Sequence, residues 1–338
     1  MASSRVATTA VGNRSAALRV ARPMRLRCSI CGNWDWLARA DWCECSHCRL
    51  LVRDVREVGA VANEIVARLE SGLVDLERDP AERWMLDPAG LRNAAWRFGF
   101  AVEPVAVARG DVRFPPDYRP GRAHATRATT VPHPTGLGIM ARPADGADIV
   151  EIATRYRDAF PRVVVLLDGT AAEAGELADR LPWIEVAHHP LAGDFAAQRN
   201  RLQDAMQTDW VLQIDTDERP DAALLDALGW LVAAADRDGL RSLGLPRRNM
   251  VDGVQSASYP DIQYRLNRND IRFAGRVHER PVVPFVESSL ALAGALEHRL
   301  DGERVRERTR IYEAMSAGAG RPEDEALLLA PFDSVAVR

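Results

Sequence analysis

Short apolar runs alternate with amphipathic stretches between residues 135 and 221. The runs have the length of buried strands, and they occupy residues 136–140, 162–167, 183–187 and 210–214. The stretches between them repeat apolar residues at helical spacing, at 146–160, 171–181 and 194–207. Strands that alternate with helices of this length are typical of a mostly parallel sheet with helices on both faces. The pattern therefore predicts an α/β fold.

The chain upstream has a different pattern. Residues 54–77 repeat apolar side chains at three- and four-residue spacing, and Asp87-Pro88 is a typical start for a second helix over 88–98. We therefore expect a helical segment over 54–103. Residues 104–134 contain six prolines among several arginines and glycines, which predicts an irregular linker and a domain boundary.

Composition limits the class of protein. The 338 residues are 47% hydrophobic and 27% charged, enough for one domain of ordinary size plus a small module. A net charge of -4 gives no general attraction to nucleic acid or to an anionic membrane. No apolar run approaches the length of a membrane span, so we expect a cytoplasmic protein without an integral membrane segment.

The two ends of the chain have weaker patterns. Residues 1–24 are rich in Ala, Ser, Thr and Arg and contain no acid. A transit-like peptide, a disordered tail and a start codon assigned too early, with Met24 as the true start, all fit this composition. Disorder or a wrong start is favoured, because there is no apolar signal core. Residues 318–338 are expected to be poorly ordered, with a short helix near 323–329.

All five cysteines lie within 21 residues. The pairs Cys28-x-x-Cys31 and Cys45-x-x-Cys48 have the spacing of two zinc knuckles. Four thiolates would hold a structural Zn²⁺ and leave no position open for a substrate. Cys43 and His47 are alternative ligands at this stage. The sequence thus predicts a zinc-ribbon-like module over residues 25–53.

Carboxylates follow the apolar run 210–214 directly, as Asp215, Asp217 and Glu218. Ligands of open α/β sheets bind beyond the carboxyl ends of the strands. Hard oxygen ligands select Mg²⁺ or Mn²⁺, which are often shared with substrate phosphates. Ordinary acidic turn residues are the competing interpretation.

The order Arg199-Asn200, strand, Asp215-Thr216-Asp217 resembles the core of the family 2 inverting glycosyltransferases with the GT-A fold. The resemblance implies a GT-A domain over 135–317 in which Asp215 and Asp217 hold a divalent metal on the donor diphosphate. It also implies that Arg199 and Asn200 lie near the donor. A surface arginine paired to Asp204 is the alternative for Arg199.

Three further segments extend the resemblance. Asp168 ends the second predicted strand, where the family contacts the base of a nucleotide sugar. Asp261 and Arg265 lie in Tyr-Pro-Asp-Ile-Gln-Tyr-Arg-Leu, which resembles the acceptor-side segment. The resemblance implies that Asp261 is the general base and that Arg265 binds substrate. In Gly-Arg-Val-His-Glu, His278 would complete the metal shell or touch the diphosphate, and Glu279 competes with Asp261 for the role of base.

The sequence therefore predicts a metal-dependent hexosyltransferase that uses a nucleotide sugar donor. A protein, a nucleic acid, a lipid-linked sugar and a small metabolite are all open as acceptors. Two other functions compete. A nucleotidyltransferase also uses strand-end carboxylates with Mg²⁺, and a zinc-ribbon binding protein could carry an inactive GT-A domain.

Overall fold

The computed structural model describes residues 26–75, 83–103 and 122–333. The expectations for residues 1–24, for residues 104–121 of the linker and for the last five residues of the tail lie outside these ranges. No helix within them is long and apolar enough to cross a membrane.

Up to Arg127, the described residues form two small sheets and two α-helices, which we call the N-terminal unit. Its elements are β1 (Trp36–Arg39), β2 (Trp42–Cys45), β3 (Leu51–Val52), α1 (Val58–Glu70), β4 (Leu73–Asp75), β5 (Trp84–Met85), α2 (Pro88–Arg97), β6 (Phe100–Glu103) and β7 (Arg122–Arg127). One sheet has the order β1-β2-β3-β5 and the other β4-β7-β6. Residues 26–53, with β1 to β3, form the cysteine module.

Local sequence explains the two helices. In α1, Val58, Val61, Ile65 and Leu69 are buried at three- and four-residue spacing. In α2, the Asp87 side chain accepts a hydrogen bond from the amide of Gly90, as an N-cap does. Both helices confirm the sequence prediction, although α1 is shorter than predicted.

The expected linker over 104–134 is wrong for residues 122–127. They form β7, which pairs antiparallel with both β4 and β6. The proline-rich composition hid this strand, because its partners lie about 20 and 50 residues upstream and local sequence cannot show such pairing. For the same reason the segment 54–103 is a mixture of helices and short strands, and not helical throughout.

Residues 135–333 form the large domain. Its first half consists of β8 (Thr135–Ala141), α3 (Gly146–Arg155), β9 (Val163–Leu167), α4 (Ala171–Arg180), β10 (Glu185–His188), α5 (Phe195–Ala205), β11 (Trp210–Asp215), β12 (Glu218–Pro220) and α6 (Ala222–Arg237). Its second half consists of β13 (Ser242–Val251), β14 (Val254–Gln255), β15 (Asp261–Arg268), β16 (Phe273–Ala274), β17 (Arg280–Pro281), β18 (Ser288–Leu290), β19 (Leu296–Leu300), α7 (Gly302–Met315) and α8 (Pro322–Leu329).

One sheet organises the large domain, in the order β10-β9-β8-β11-β15-β13-β19-β12. The first four strands are parallel, as the alternating pattern predicts. From β11 onward the pairing is mixed, since β15 is antiparallel to both β11 and β13. β19 then runs parallel to β13 and antiparallel to β12. The α/β fold is confirmed, and it joins a parallel half to a mixed half.

Strands β8, β9 and β11 are buried on both faces. In β9, Val165 and Leu167 pack in the main core with residues of α3, α4 and α6, whereas Val164 and Leu166 pack with α5 on the other face. A side chain on Gly138 of β8 would come within 2.9 Å of Leu202, so this glycine lets α5 pack closely on the sheet. The close packing fixes the position of α5 against β8.

The N-terminal unit packs on the edge of the large sheet. Leu290 and Leu292, from and just after β18, are buried in its core. Asn93 of α2 accepts hydrogen bonds from the Ser289 hydroxyl (2.9 Å) and the Leu290 amide (3.2 Å). Trp96 stacks edge-to-face on Trp230 of α6, with ring centroids 6.3 Å apart. These contacts place the cysteine module beside the second half of the sheet.

Candidate functional site

A cleft of about 1910 Å³ lies over the end of β11. The strand is buried from Trp210 to Ile214 and ends at Asp215, and a tight turn leads into β12. Its walls include most of the residues singled out from sequence, which are Asp168, Arg199, Asp215, Asp217, Asp261, Arg265, His278 and Glu279. The structure therefore brings together eight of the nine predicted large-domain residues, and Asn200 is the exception.

Asp215 lies between two arginines. Its carboxylate accepts a hydrogen bond from Arg265 Nη2 (2.8 Å) and a longer one from Arg199 Nη2 (3.3 Å). Part of the side chain, 31%, faces the cleft, while protein surrounds the rest. Burial raises the pKa of Asp215 to about 8, against the opposing charge of Arg199, and the neighbouring Glu218 adds to the rise. A cation bound in the cleft would stabilise the Asp215 carboxylate and lower its pKa again.

Asp217 is held by a histidine that the sequence analysis did not assign. His298 Nε2, on β19, lies 3.4 Å from Asp217 Oδ2, and His298 Nδ1 lies 2.6 Å from Asn249 Oδ1. The amide of Asn249 donates to Asp261, so Nδ1 of His298 must donate to the Asn249 oxygen. Nε2 therefore faces Asp217 either with a second proton or with a free lone pair.

Burial and the neighbouring charges have opposing effects on the pKa of Asp217, and they also shift the pKa of His298. Burial disfavours the Asp217 carboxylate, but the His298 contact, with Arg304 and Arg247, holds its pKa well below the usual range. Burial and the charge of Arg247 lower the pKa of His298. Asp217 is the more exposed of the two side chains, and several cations stabilise its charge. Asp217 is thus an anion facing the cleft.

Arg247 of β13 connects the acceptor-side segment to the strand-end acids. Its Nε and Nη2 donate to Asp261 Oδ2 at 3.0 and 2.6 Å, and its Nη1 donates to Glu218 Oε1 at 2.9 Å. Glu218 is fully buried and also lies 3.4 Å from Arg265 Nη2. Neither Arg247 nor Glu218 was predicted as a site residue, although Glu218 stood out as the third strand-end acid.

Asp261 accepts more hydrogen bonds than an unpaired carboxylate would. Besides Arg247 it accepts hydrogen bonds from Asn249 (3.1 Å) and Gln263 (2.6 Å). Burial works against the charge, but the guanidinium of Arg247 and these hydrogen bonds hold the pKa of Asp261 well below its usual range. The carboxylate is ionised and 26% exposed to the cleft.

Helix α5 contributes two adjacent residues with different environments. Arg199 is buried, and its Nε donates to Glu279 at 2.5 Å. The alternative pairing with Asp204 is therefore wrong, since Asp204 pairs with Arg272. Burial disfavours the charged Arg199, yet Asp215 and Glu279 raise its pKa above the ordinary value. A buried arginine between two acids holds the end of β11 and the 275–279 loop together.

Asn200 bonds to backbone and not to the cleft. Its Nδ2 donates to the Phe273 carbonyl (3.0 Å), and its Oδ1 accepts from the Phe273 amide (2.7 Å). The predicted donor contact of Asn200 therefore finds no support in its position, which ties α5 to β16. Arg199, the preceding residue, does face the site, because successive residues of a helix point about 100° apart.

His278 is displaced from the acid pair. Its Nε2 donates to the Ala319 carbonyl at 2.9 Å, and its ring stacks edge-to-face on Tyr312 at 5.5 Å. Among the described residues, Asp215 and Asp217 form no compact group, with ligand atoms within 4.8 Å of one another, with either His278 or His298. His298 is the imidazole that lies beside Asp217, and a sequence motif centred on Gly-Arg-Val-His-Glu could not indicate it.

Asp168 lies where the second predicted strand ends. Its Oδ1 accepts a hydrogen bond from the Leu191 amide at 2.8 Å, and its own amide donates to the Ala141 carbonyl. These bonds fix it at the carboxyl end of β9, which is three strands away from β15 in the sheet. Such an edge is where α/β sheets bind nucleotides.

Helix α7 also lines the cleft, through Arg304, Arg308 and Tyr312. Its alternating charges are typical of a solvated helix face, but one side of the helix faces the cleft. Alternating charges along a helix do not show which side of the helix faces bulk solvent and which side faces a cleft.

The cysteine module brings its two knuckles together. Cys28, Cys31, Cys45 and Cys48 are buried, and their sulfur atoms lie within 4.8 Å of one another. The Cys28–Cys48 and Cys31–Cys45 sulfur distances are 3.4 and 3.5 Å. Tetrahedral Zn–S bonds of about 2.3 Å would require sulfurs about 3.8 Å apart, so the four thiols fit a zinc ion closely. Cys43 and His47 lie outside this group.

No protein-family profile and no curated protein sequence matches the chain. Among solved structures, S. aureus TarS is 13% identical, with 57% of this chain and 42% of that chain covered and a TM-score of 0.33. TarS 1-349 in complex with UDP-GlcNAc is 14% identical, with 55% and 67% covered and a TM-score of 0.33.

A third solved structure is glucosyl-3-phosphoglycerate synthase from Mycobacterium tuberculosis, in complex with Mn²⁺, UDP and glucosyl-3-phosphoglycerate. It is 16% identical, with 33% of this chain and 44% of that chain covered and a TM-score of 0.25. The chain thus spans less than half of the full TarS and synthase chains. Likenesses this distant assign no activity, so a functional conclusion has to rest on the site.

Proposed function

We propose that the protein is a glycosyltransferase that moves a sugar, with inversion, from a nucleoside diphosphate sugar to an acceptor. One observation carries the proposal. Asp215 and Asp217 end β11 in the same cleft as Asp168 on the nucleotide side and Asp261 on the other. This arrangement supplies, in one cavity, groups for a nucleotide, for a diphosphate-bound cation and for an acceptor proton.

The two strand-end acids fit a hard divalent cation such as Mg²⁺ or Mn²⁺. Both are partly exposed to the cleft, by 31% and 22%, and they offer oxygen ligands. Two carboxylates do not complete an octahedral shell, which suits a cation that shares its remaining positions with diphosphate oxygens and water. His298 is placed to contribute beside Asp217, more closely than the predicted ligand His278. When bound, such a cation would neutralise charge on the leaving diphosphate.

Residues of the chain itself supply positive charge near the leaving diphosphate. Arg265 and Arg199 hold Asp215 in place, and Arg304 of α7 adds a positive charge near Asp217. Fixed charges of this kind stabilise a leaving anion without reorganising during the reaction. Helix α7 would also reduce access of water to the donor.

Asp261 is the proposed base. It lies on the acceptor side of the cleft, and it is more exposed than Glu279, whose carboxylate is 12% exposed and paired with Arg199. Its lowered pKa makes it a weak base in the resting site. Proton transfer would therefore accompany bond formation to the sugar, when the acidity of the acceptor hydroxyl rises. The cysteine module is proposed to bind one structural Zn²⁺.

Product analysis tests the proposal. Purified protein with Mg²⁺ or Mn²⁺ is incubated with a panel of nucleotide sugars, and the products are identified by mass spectrometry. A glycosyltransferase releases a nucleoside diphosphate, by hydrolysis where no acceptor is present. Release of pyrophosphate would instead identify a nucleotidyltransferase, and donor binding without any turnover would identify an inactive binding protein. An Asp179→Asn variant, altered on the exposed side of α4, serves as the control.

A further inference from the structure

The cysteine module forms one wall of the cleft. Trp34, Arg39 and Ser46 from the module line the same cavity as Asp261 and Tyr264 from the large domain. Pockets for a single small ligand measure roughly 300–1,000 Å³. At about 1910 Å³ the cleft has room for a second ligand beside a nucleotide sugar, on the module's side.

The position of this wall is tied to the segment that carries Asp261. Arg27 donates from Nη2 to the Ala257 carbonyl at 3.1 Å and from Nη1 to the Tyr259 carbonyl at 2.5 Å. A Cβ atom on Gly32 would lie 2.8 Å from the Tyr259 ring, so backbone and ring are in close contact. The module and the start of β15 therefore keep a fixed separation.

The chemistry of the wall favours an uncharged ligand. Arg39 is paired with Glu44 at 2.8 Å, and Arg49 is paired with Asp87. These two arginines are already neutralised, and the module also lines the cleft with the Trp34 ring and with polar side chains, which are those of Asn33, Asp35, Ser46 and His47. A polyanion such as a nucleic acid needs unpaired cations in number. A sugar ring has apolar C–H faces that pack on aromatic rings, and hydroxyls that need neutral hydrogen-bond partners.

The large domain presents a second aromatic side chain to the same space. Phe285, just after β17, is 56% exposed and lines the cleft. Phe285, Trp34 and Tyr264 line the same cleft, and the exposed phenylalanine gives a ligand an apolar surface to cover. Trp183, by contrast, is 39% exposed but does not line the cleft, and it provides a matched control.

We propose that the cysteine module is the acceptor-recognition wall of this enzyme and that the acceptor presents a neutral sugar to Trp34 and Phe285. The inference rests on the proposed glycosyltransferase function and names the acceptor class of that site. The transferred sugar would then form a glycosidic bond to a hydroxyl of this acceptor sugar. That hydroxyl loses its proton to Asp261, and the nucleoside diphosphate leaves with the bonding electrons.

Binding measurements test the inference without a known acceptor. Saturation-transfer NMR is recorded on the full chain with Mg²⁺, UDP and the methyl glycosides of glucose, galactose and N-acetylglucosamine. We expect saturation of at least one glycoside, with binding about tenfold weaker in Trp34→Ala and in Phe285→Ala and unchanged in Trp183→Ala. Zinc content and melting temperature report whether Trp34→Ala is folded. If Trp34→Ala is not folded, Phe285→Ala still tests the inference, because Phe285 is at an exposed position.

Calorimetry with UDP, GDP and dTDP separates the two proposals. Nucleotide binding that is unchanged in both aromatic variants, together with weaker glycoside binding, supports the inference. Equal glycoside binding in all variants, or no glycoside binding by a wild-type protein that binds nucleotide, overturns it. A wild-type protein that binds glycosides through Trp34 but none of the three nucleotides overturns the glycosyltransferase proposal and supports a sugar-binding wall.

Discussion

Arg247 holds the carboxylate of Asp261 with two nitrogens, at 3.0 and 2.6 Å, across neighbouring strands of the large sheet. The same guanidinium reaches the fully buried Glu218 at 2.9 Å. The proposed acceptor side and the proposed metal side are therefore connected through one arginine.

Asp261→Asn is expected to keep the shape of the site and remove its proton acceptor. Sugar transfer should fall by roughly a hundred- to ten-thousandfold, the usual contribution of general-base catalysis. Nucleotide binding, measured by calorimetry, should change little. Donor hydrolysis serves as the assay if no acceptor is at hand.

Glu279→Gln is the comparison for Asp261. Glu279 is paired with the buried Arg199, so this change should affect stability more than turnover. If Glu279→Gln abolishes transfer and Asp261→Asn leaves it intact, the two roles are exchanged. If neither change affects transfer, the base is a different group.

Asp217→Asn should remove both turnover and its dependence on divalent metal, because an amide cannot neutralise the cation. The measurement is donor turnover across a titration of Mn²⁺. Asp179→Asn, an exposed change on α4, should titrate like the wild type. Wild-type turnover in Asp217→Asn would contradict the assignment of the strand end as a metal site.

Local patterns predict the parallel half of the fold well. The runs that become β8, β9 and β11 are buried on both faces, so their apolar content is continuous and their ends are clear. The strand-end acids follow from the same pattern. Ordered motifs then place Asp168, Asp261 and Glu279 in the cleft, although they lie far apart in sequence.

The site contacts that the sequence could not show arise from the pairing of strands that are distant in sequence. Arg247 meets Asp261 because β13 pairs with β15, and His298 meets Asn249 because β19 pairs with β13. Neither register leaves a local signal. From sequence, His278 is therefore the expected imidazole near the metal site, because it lies in a recognisable motif and His298 does not.

Asn200→Ala distinguishes a structural role from the predicted donor contact. Asn200 exchanges two hydrogen bonds with the Phe273 backbone, so its loss should lower the free energy of unfolding by about 1–3 kcal/mol. Nucleotide affinity should stay near that of the wild type. Denaturant unfolding and calorimetry measure the two quantities, with the exposed Arg201→Ala on the same helix as control. A large loss of affinity at unchanged stability would restore the donor contact.

Metal affinity should depend on pH through Asp215. Its pKa is raised to about 8, so the metal-free carboxyl carries a proton below that pH. Mg²⁺ must displace this proton, and its apparent affinity should rise roughly tenfold per pH unit up to about pH 8 and then level off. Calorimetry at pH 7 in two buffers of different ionisation enthalpy should show about one proton released. No proton release would contradict the raised pKa.

Removal of zinc should disturb the acceptor side before the donor side. Metal analysis is expected to find about one zinc per chain, lost in Cys28→Ser and in Cys48→Ser and kept in Cys43→Ser, since Cys43 lies outside the cluster. A folded cysteine module without metal would contradict the zinc site.

The reason for the order of effects is the position of Arg27, next to Cys28. Its guanidinium bonds the carbonyls of Ala257 and Tyr259, which lead into Asp261, whereas Asp168 and Asp215 are held by the large sheet. When a chelator removes zinc, the segment around Asp261 loses this support while the nucleotide side keeps its own. Sugar transfer should therefore fall before nucleotide affinity does, as measured by turnover and calorimetry on the same chelated sample. Parallel loss of both would show that the module supports the whole domain and not the acceptor side alone.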